Sequence, residues 1–307
     1  MSLSVNIIGN VQLDVLASPV TDMPPPGGDT IIDQIAVRTA GAAGNVSLAL
    51  AALQTEHRLF GAIGDDDAGR WVATDLKRLG LDRDLQVRNG EATGISIALE
   101  APGRERAFLT AHGALAEYTI NDVPAAACEA DIVLLTGYFS LPGLRGAGTA
   151  ELLSRAKTAG AQTWFDTGWD PEDWSGGGVG EVLDLLPLVD VFLPNEPEAL
   201  ALTGEETAEN AVRVLKEHCR GWVVAKRGAD GLVAATPEGG VLHLNAPAAK
   251  PLDTTGAGDS LAAGTIAELA RGADMHAALR HGVRVASTVV GRESHRRYPT
   301  REELLAG

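Results

Sequence analysis

Asp131-Ile132-Val133-Leu134-Leu135 is a short apolar run opened by an acid, and residues 150–159 behind it carry a helical pattern that stops at Gly160. The alternation repeats down the chain. A strand-like stretch at 163–165 leads to a helical one around 181–186, and then to an apolar run at 189–193. Helical patterns follow at 197–202, with Gly204 as a stop, and at 207–218. Gly221-Trp222-Val223-Val224-Ala225-Lys226 reads as one more buried strand. Short runs without polar alternation suit strands covered on both faces. Such strands interleaved with helices predict an α/β fold with a mostly parallel sheet and helices on both sides.

The first third is less regular. Residues 4–8 read as a central strand entering Gly9-Asn10, and 43–53 as a helix rich in Ala and Leu. Residues 66–79 predict another helix, with acids at its start, Lys77 and Arg78 at its end and Gly80 just beyond. Residues 31–37 have strand character. Residues 94–100 and 106–110, separated by Ala101-Pro102-Gly103-Arg104-Glu105, read as a hairpin. These pieces suit a small sheet protruding from the main one. Pro24-Pro25-Pro26-Gly27-Gly28 reads as a loop rather than a linker, so 1–307 is expected to be one domain.

Composition narrows the class. Hydrophobic residues make up 45% and aromatics only 4%, so the core must come mostly from Ala, Val, Leu and Ile. A formal net charge of −16 argues against nucleic acid, whose phosphates repel such a surface. No stretch approaches the ~20 apolar residues of a membrane span, and the N-terminus lacks a secretion signal; a cytoplasmic location is expected. Cys128 and Cys219 have no metal-ligand spacing and are expected to be reduced structural thiols. The seven histidines form no H-E-x-x-H pair, and no Lys follows a Gly, which excludes a Walker A loop. The turn after the first strand lacks G-x-G-x-x-G, and the protein-kinase H-R-D and D-F-G elements are missing.

Chemistry is concentrated in Asp253-Thr254-Thr255-Gly256-Ala257-Gly258-Asp259-Ser260, followed by a helical pattern to about Arg271 with Gly272 as its stop. That puts Gly256-Ala257-Gly258 at a helix N-terminus, where free N–H groups and the helix dipole favour an anion. Asp259 then lies in the first turn. A carboxylate beside an anion site makes chemical sense if it takes a proton from an attacking alcohol while the amides stabilise a transferring phosphoryl group. Alone, it also reads as an ordinary first-turn acid.

The stretch does not stand alone. Residues 253–259 match the D-T-x-G-A-G-D signature of the ribokinase-like (PfkB) family of carbohydrate and nucleoside kinases, which the chain resembles over roughly residues 4 to 295. Thr39-Ala40-Gly41-Ala42-Ala43-Gly44-Asn45-Val46 is similar to the family's N-terminal signature, with Ala40 replacing its first Gly. The resemblance implies Asp259 as general base, and Gly256, Ala257 and Gly258 as the anion hole for the γ-phosphate of ATP. It implies that Gly41 and Asn45 hold the acceptor. Gly9-Asn10-Val11-Gln12-Leu13-Asp14 resembles the turn whose Asp binds sugar hydroxyls, giving that role to Asp14 with Gln12 beside it. Asn195-Glu196-Pro197-Glu198 resembles the N-x-x-E element, in which Asn195 and Glu198 organise Mg²⁺ and phosphates through water. Lys226, Gly228 and Gly231 fall on the turn that lines the nucleotide, together with Thr254 and residues 286–294; many relatives carry Thr or Ser where Lys226 stands. Asp253 and the loop near Arg292 are implied for a monovalent cation such as K⁺.

The family fold is a doubly wound α/β domain with a small β lid, here from about 15–38 and 91–112, which excludes water from the reaction. Homodimers through the lid are common among relatives. The implied function is ATP- and Mg²⁺-dependent phosphate transfer to a hydroxyl of a sugar. The alternatives are a nucleoside kinase of adenosine or pseudouridine type, and a non-catalytic sugar- or nucleotide-binding relative. Leu135-Thr136-Gly137-Tyr138-Phe139 lacks the acid that ribokinases carry after the central strand, which reads against ribose. Its Gly-Tyr-Phe run would pack on a nucleobase or larger sugar, or form core. Few Lys or Arg near the expected site read against a phosphosugar. Local readings stay open beside these: Asp14 as a turn cap, Asn45 as a helix N-cap, Asn195 and Glu198 as cap and dipole partner. Asp166 either orients phosphates or stabilises a loop, and Asp65-Asp66-Asp67 reads as acids opening a helix rather than a metal cluster.

Overall fold

The computed structural model describes residues 3–22, 24, 26–99, 107–293 and 296–306. The elements run β1 (Val5–Gly9), β2 (Gln12–Ser18), β3 (Gln34–Ala40), α1 (Ala42–Ala52), β4 (Arg58–Gly64), α2 (Asp67–Lys77), β5 (Leu85–Arg88), β6 (Ile95–Leu99) and β7 (Ala107–Ala111). They continue β8 (Ile132–Thr136), α3 (Ala147–Thr158), β9 (Gln162–Asp166), α4 (Gly178–Leu185), β10 (Val191–Phe192), α5 (Glu196–Thr203), α6 (Ala208–His218), β11 (Trp222–Lys226), β12 (Leu232–Ala235), β13 (Val241–Leu244), α7 (Ala257–Ala270), α8 (Met275–Val290) and α9 (Arg301–Ala306).

Nine strands form one sheet in the order β13-β12-β11-β10-β9-β8-β1-β4-β5. All pairings from β5 to β11 are parallel; β12 and β13 add an antiparallel edge. The period of two along each strand divides the core between the two faces. On β8, Ile132 and Leu134 pack with Trp164 and Val224 on one side, while Val133 and Leu135 pack with Phe165 and Phe192 on the other. Helices α3 to α6 cover the second face, and α1, α2, α7 and α8 the first. This is the mostly parallel, doubly wound sheet that the sequence implied.

From β1 the sheet grows through β4 and β5 in one direction, and from β8 through β11 in the other. The winding therefore reverses between β1 and β8, and their C-terminal ends open a crevice there. A second sheet, ordered β3-β2-β6-β7, stands beside it, with β2 antiparallel to β3 and parallel to β6.

Several expectations shift. The strand expected at 31–37 lies at Gln34–Ala40, and Ile31 is 94% exposed. Pairing with β2 sets the register, Asp14 opposite Arg38, and the apolar Ile31-Ile32 pair does not. Gly9 to Asp14 is not one turn: the chain turns at Asn10-Val11, and Gln12 already begins β2. Asp14 is a strand residue and caps nothing. The hairpin expected from 94–100 and 106–110 is seen as β6 antiparallel to β7, while its turn at 101–105, with Glu100 and Arg106, lies outside the described residues, as do Pro25 and Ser294. Helix α8, capped by Asp274 and stopped at Gly291, and the edge strands β12 and β13 were not among the expected elements. Tyr138 and Phe139 are buried core, packed edge-on against each other and against Phe165 and Trp174, so they offer no face to a base. Asp66 caps α2 by accepting from the Gly69 N–H at 2.8 Å, so the three acids open a helix as read. Both cysteines are free and buried.

Candidate active site

The C-terminal ends of the parallel strands deliver most of the polar groups. Asn10 leaves β1, Asp166 closes β9, Asn195 follows β10 and Lys226 closes β11. Glycine permits close approaches here. Gly41 holds φ +84°, and a Cβ there would fall 2.3 Å from the Asn10 carbonyl oxygen. Gly137 holds φ +73°, and a Cβ there would meet Asn10 Oδ1 at 2.0 Å. Ala40 sits in the extended backbone of β3, so its replacement of a family glycine is sterically neutral.

One polar chain runs from the crevice onto the small sheet. Asn10 Oδ1 accepts from the Ala42 N–H at 3.0 Å, Asn10 Nδ2 donates to Gln12 Oε1 at 3.2 Å, and Gln12 Nε2 donates to Asp14 Oδ1 at 3.0 Å. Asp14 is 4% exposed, and burial pushes its carboxyl above the ordinary range despite the Gln12 hydrogen bond and the Arg38 charge.

A second cluster gathers at the N-terminus of α7. Gly256 is its N-cap at φ +69°, so the α7 amides start at Ala257 and Gly258, with Asp259 in the first turn. Asn45 Nδ2 donates to Asp259 Oδ2 at 2.8 Å, and Tyr298 OH donates to Asn45 Oδ1 at 3.1 Å. Asn45 is thus inside α1, whose N-cap is Gly41, and the reading of Asn45 as a cap fails. Its side chain instead joins the two signature segments, 214 residues apart. Burial first, and the Asp166 charge second, push the Asp259 carboxyl up to about 6, against the Asn45 hydrogen bond and the charges of Lys226 and Arg297.

Lys226 Nζ donates to Asp166 Oδ2 at 2.6 Å. Burial alone would lower the Lys226 ammonium, but Asp166 and Glu198 more than offset it and hold its pKa above the ordinary value. Glu198 is 2% exposed, and burial raises its carboxyl. Asn195 and Glu198 form a reciprocal cap on α5: the Asn195 N–H and Nδ2 donate to Glu198 at 2.8 and 2.7 Å, and the Glu198 N–H donates to Asn195 Oδ1 at 2.8 Å. The capping role read from sequence is therefore real. Gly228 and Gly231 shape the turn between β11 and β12, at φ +54° and +85°. Thr254 is exposed one residue after Asp253.

Two arginines were not anticipated. Arg38 Nη1 lies 2.7 Å from Asp253 Oδ2, and its Nη2 lies 3.9 Å from Asp14. Arg297, in the loop before α9, sits 4.0 Å from Asp253 and is 3% exposed. With Lys226 they put three cations around the expected site, where sequence position suggested few. Five carboxylates surround them: Asp14, Asp166, Glu198, Asp253 and Asp259. Nothing in a linear sequence signals that an arginine will be buried, so neither was found.

The sequence matches the pfkB carbohydrate kinase family over residues 4–301. It is 29% identical over 300 residues to the ATP-dependent ribose-1-phosphate kinase of Halopiger xanaduensis, covering 97% of this chain and 95% of that protein. It is 25% identical to the 2-dehydro-3-deoxygluconokinase of Bacillus subtilis over 87% of this chain and 85% of that one. The fold superposes on the crystal structure of the ribokinase of Thermotoga maritima with a TM-score of 0.85 at 23% identity, covering 99% and 98% of the two chains. The chain belongs to the pfkB family of carbohydrate kinases, enzymes that take phosphate from ATP.

Proposed function

We propose that this enzyme phosphorylates a hydroxyl of a neutral sugar or sugar-like molecule, with Asp259 as the general base. The observation that supports this most is the Asn45–Asp259 hydrogen bond at 2.8 Å. It ties the residue expected to hold the acceptor to the residue expected to deprotonate it. The acceptor lies between Asp14, Gly41 and Asn45, with Gln12 supporting Asp14. Its oxygen attacks the γ-phosphorus in line while Asp259 takes the hydroxyl proton, and the bond from the γ-phosphorus to the bridging oxygen of ADP breaks. The amides at Gly256 and Gly258, with that of Ala257 once it exchanges the Thr254 carbonyl it meets at 3.2 Å, stabilise the charge on the transferring group.

ATP lies along Asn195, Lys226, Gly228, Gly231 and Thr254. Among the described residues no three acidic, His or Cys side chains form a metal cluster. A Mg²⁺ ion held chiefly by phosphate oxygens and water does not require one. Both Glu198 oxygens already accept from Asn195, so Glu198 suits a contact through water. Bound there, Mg²⁺ would neutralise charge on the β- and γ-phosphates. The sheet β3-β2-β6-β7, which comes largely from about residues 15–38 and 91–112, serves as the lid within a single kinase domain.

The excess of five carboxylates over three cations favours a neutral acceptor, and of the two arginines Arg38 is already paired with Asp253 at 2.7 Å. ATP consumption should be measured with neutral sugars, sugar acids, sugar phosphates and nucleosides. Turnover confined to neutral sugars is the expected result; turnover of nucleosides alone would overturn the sugar assignment. Binding of ATP without turnover of any acceptor would indicate a non-catalytic relative.

The pH dependence follows from Asp259, which must be ionised to accept a proton. With its carboxyl at about 6 in the free enzyme, kcat/KM should be flat near neutrality and fall about tenfold per pH unit on the acid side of that value. Lys226 and Arg297 oppose this rise and Asp166 adds to it, so the break belongs to the cluster. A profile flat to pH 4.5 would remove Asp259 from the role.

A further inference from the structure

We infer that Arg297 is the resident cation of this site and that the enzyme works without a monovalent metal ion. The inference rests on the kinase reading and concerns how the end of α7 is charged. The family resemblance implied a monovalent cation at Asp253, and the side chains here do not fit one. Asp253 Oδ2 already faces Arg38 Nη1 at 2.7 Å and Arg297 Nη1 at 4.0 Å, and its Oδ1 accepts the Thr255 N–H at 2.9 Å. A metal ion on this carboxylate would lie against two guanidinium groups, and a like charge at such separation is strongly repelled in a partly buried setting.

Arg297 is well placed to supply the charge itself. Its guanidinium packs on the bare α-carbon of Gly256, where an added Cβ would lie 2.7 Å from Nη2. It also stacks over the ring of Tyr298 at 5.4 Å, next to the Tyr298–Asn45–Asp259 chain of hydrogen bonds. The loop that carries it is held by Arg292 Nη1 to Glu303 Oε2 at 2.9 Å. Among the described residues, Nε, Nη1 and Nη2 of Arg297 have no hydrogen-bond partner although the side chain is buried. A buried cation with unspent donors is costly unless an anion completes it, and the N-terminus of α7 is where such an anion is received. A guanidinium that belongs to the chain does not have to be recruited from solution, so this cation does not depend on the salt present.

Activity of the unmodified enzyme should be compared in potassium, sodium and tetramethylammonium chloride at equal ionic strength. Equal kcat and equal KM for ATP in all three is the expected result; activation by K⁺ of about tenfold or more, a 1.4 kcal/mol effect, would overturn the inference. Thermal unfolding with ATP and Mg²⁺ in the same salts is a readout that needs no turnover. The melting temperature should not depend on which cation is present, and a specific rise in K⁺ would reveal a bound ion. If no acceptor is consumed, the kinase reading fails while the unfolding comparison still decides the cation question. Arg297→Ser should lose activity in tetramethylammonium and regain part of it with K⁺ or guanidinium. Full activity of that variant without added cation would sink the idea. Should Arg297→Ser fail to fold, Arg297→Lys takes its place, with retained, K⁺-independent activity expected and acquired K⁺ activation counting against the inference.

Discussion

Asp259→Asn is expected to lower kcat by about a thousandfold and, at the same time, to raise the melting temperature. Loss of activity follows because asparagine cannot take the proton of the attacking hydroxyl. The gain in stability follows from the half-buried carboxyl. Its ordinary value of 3.8 is raised to about 6 in the fold, so the folded state prefers the protonated form. The stability associated with that preference is present below pH 3.8 and lost as pH rises through 6. Near neutrality, ionised Asp259 therefore destabilises the fold, by about 3 kcal/mol for a shift of this size. Asparagine has the same shape and can still accept from Asn45. A rise of roughly 2–5 °C is expected by calorimetry. Such an exchange of stability for activity is characteristic of a residue placed for chemistry. Unchanged kcat, or a melting temperature that falls by as much, would show that Asp259 is structural.

Lys226→Met should act in the opposite sense on stability. The ammonium is the nearest cation to Asp166, at 2.6 Å, and its charge also acts on Glu198 and Asp259. Methionine fills the space and leaves three carboxylates facing one another. Breaking a buried pair from one side costs about 3–5 kcal/mol, largely through the charge left behind. Chemical denaturation should show a loss of that order at pH 7, shrinking as the pH falls and the carboxyls become protonated. The acid limb of kcat/KM should move upward, because Asp259 loses one of the charges that favour its ionised form. KM for ATP should rise as well. Wild-type stability in this variant would mean that solvent, rather than Lys226, compensates the cluster.

Much of the site was legible as motifs. Residues 253–259 announced a helix N-terminus with an acid in its first turn, and α7 begins where that reading placed it. The cap formed by Asn195 and Glu198 was equally readable, because capping is a local contact between residues three apart. The alternative of Asn45 as a helix cap, also a local reading, fails because its side chain is bonded to Asp259 on a distant helix. Arg38 and Arg297 carried no signal. Their burial depends on Asp253, which lies 215 residues from Arg38 and within 4.0 Å of Arg297.

The sequence by itself determined what depends on neighbours along the chain. Apolar runs of about five residues between helices dictate a parallel sheet, because only strands covered on both faces dispense with polar alternation. Glycine followed by an acid near a helical pattern dictates a helix start with a carboxylate in its first turn. The tertiary structure alone decided the register of β3, the reversal of winding between β1 and β8, and the electrostatic environment of Asp259. A register is chosen by the partner strand, and a pKa by burial and by charges brought near from elsewhere. Both come from contacts across the fold, and no spacing along the chain encodes them.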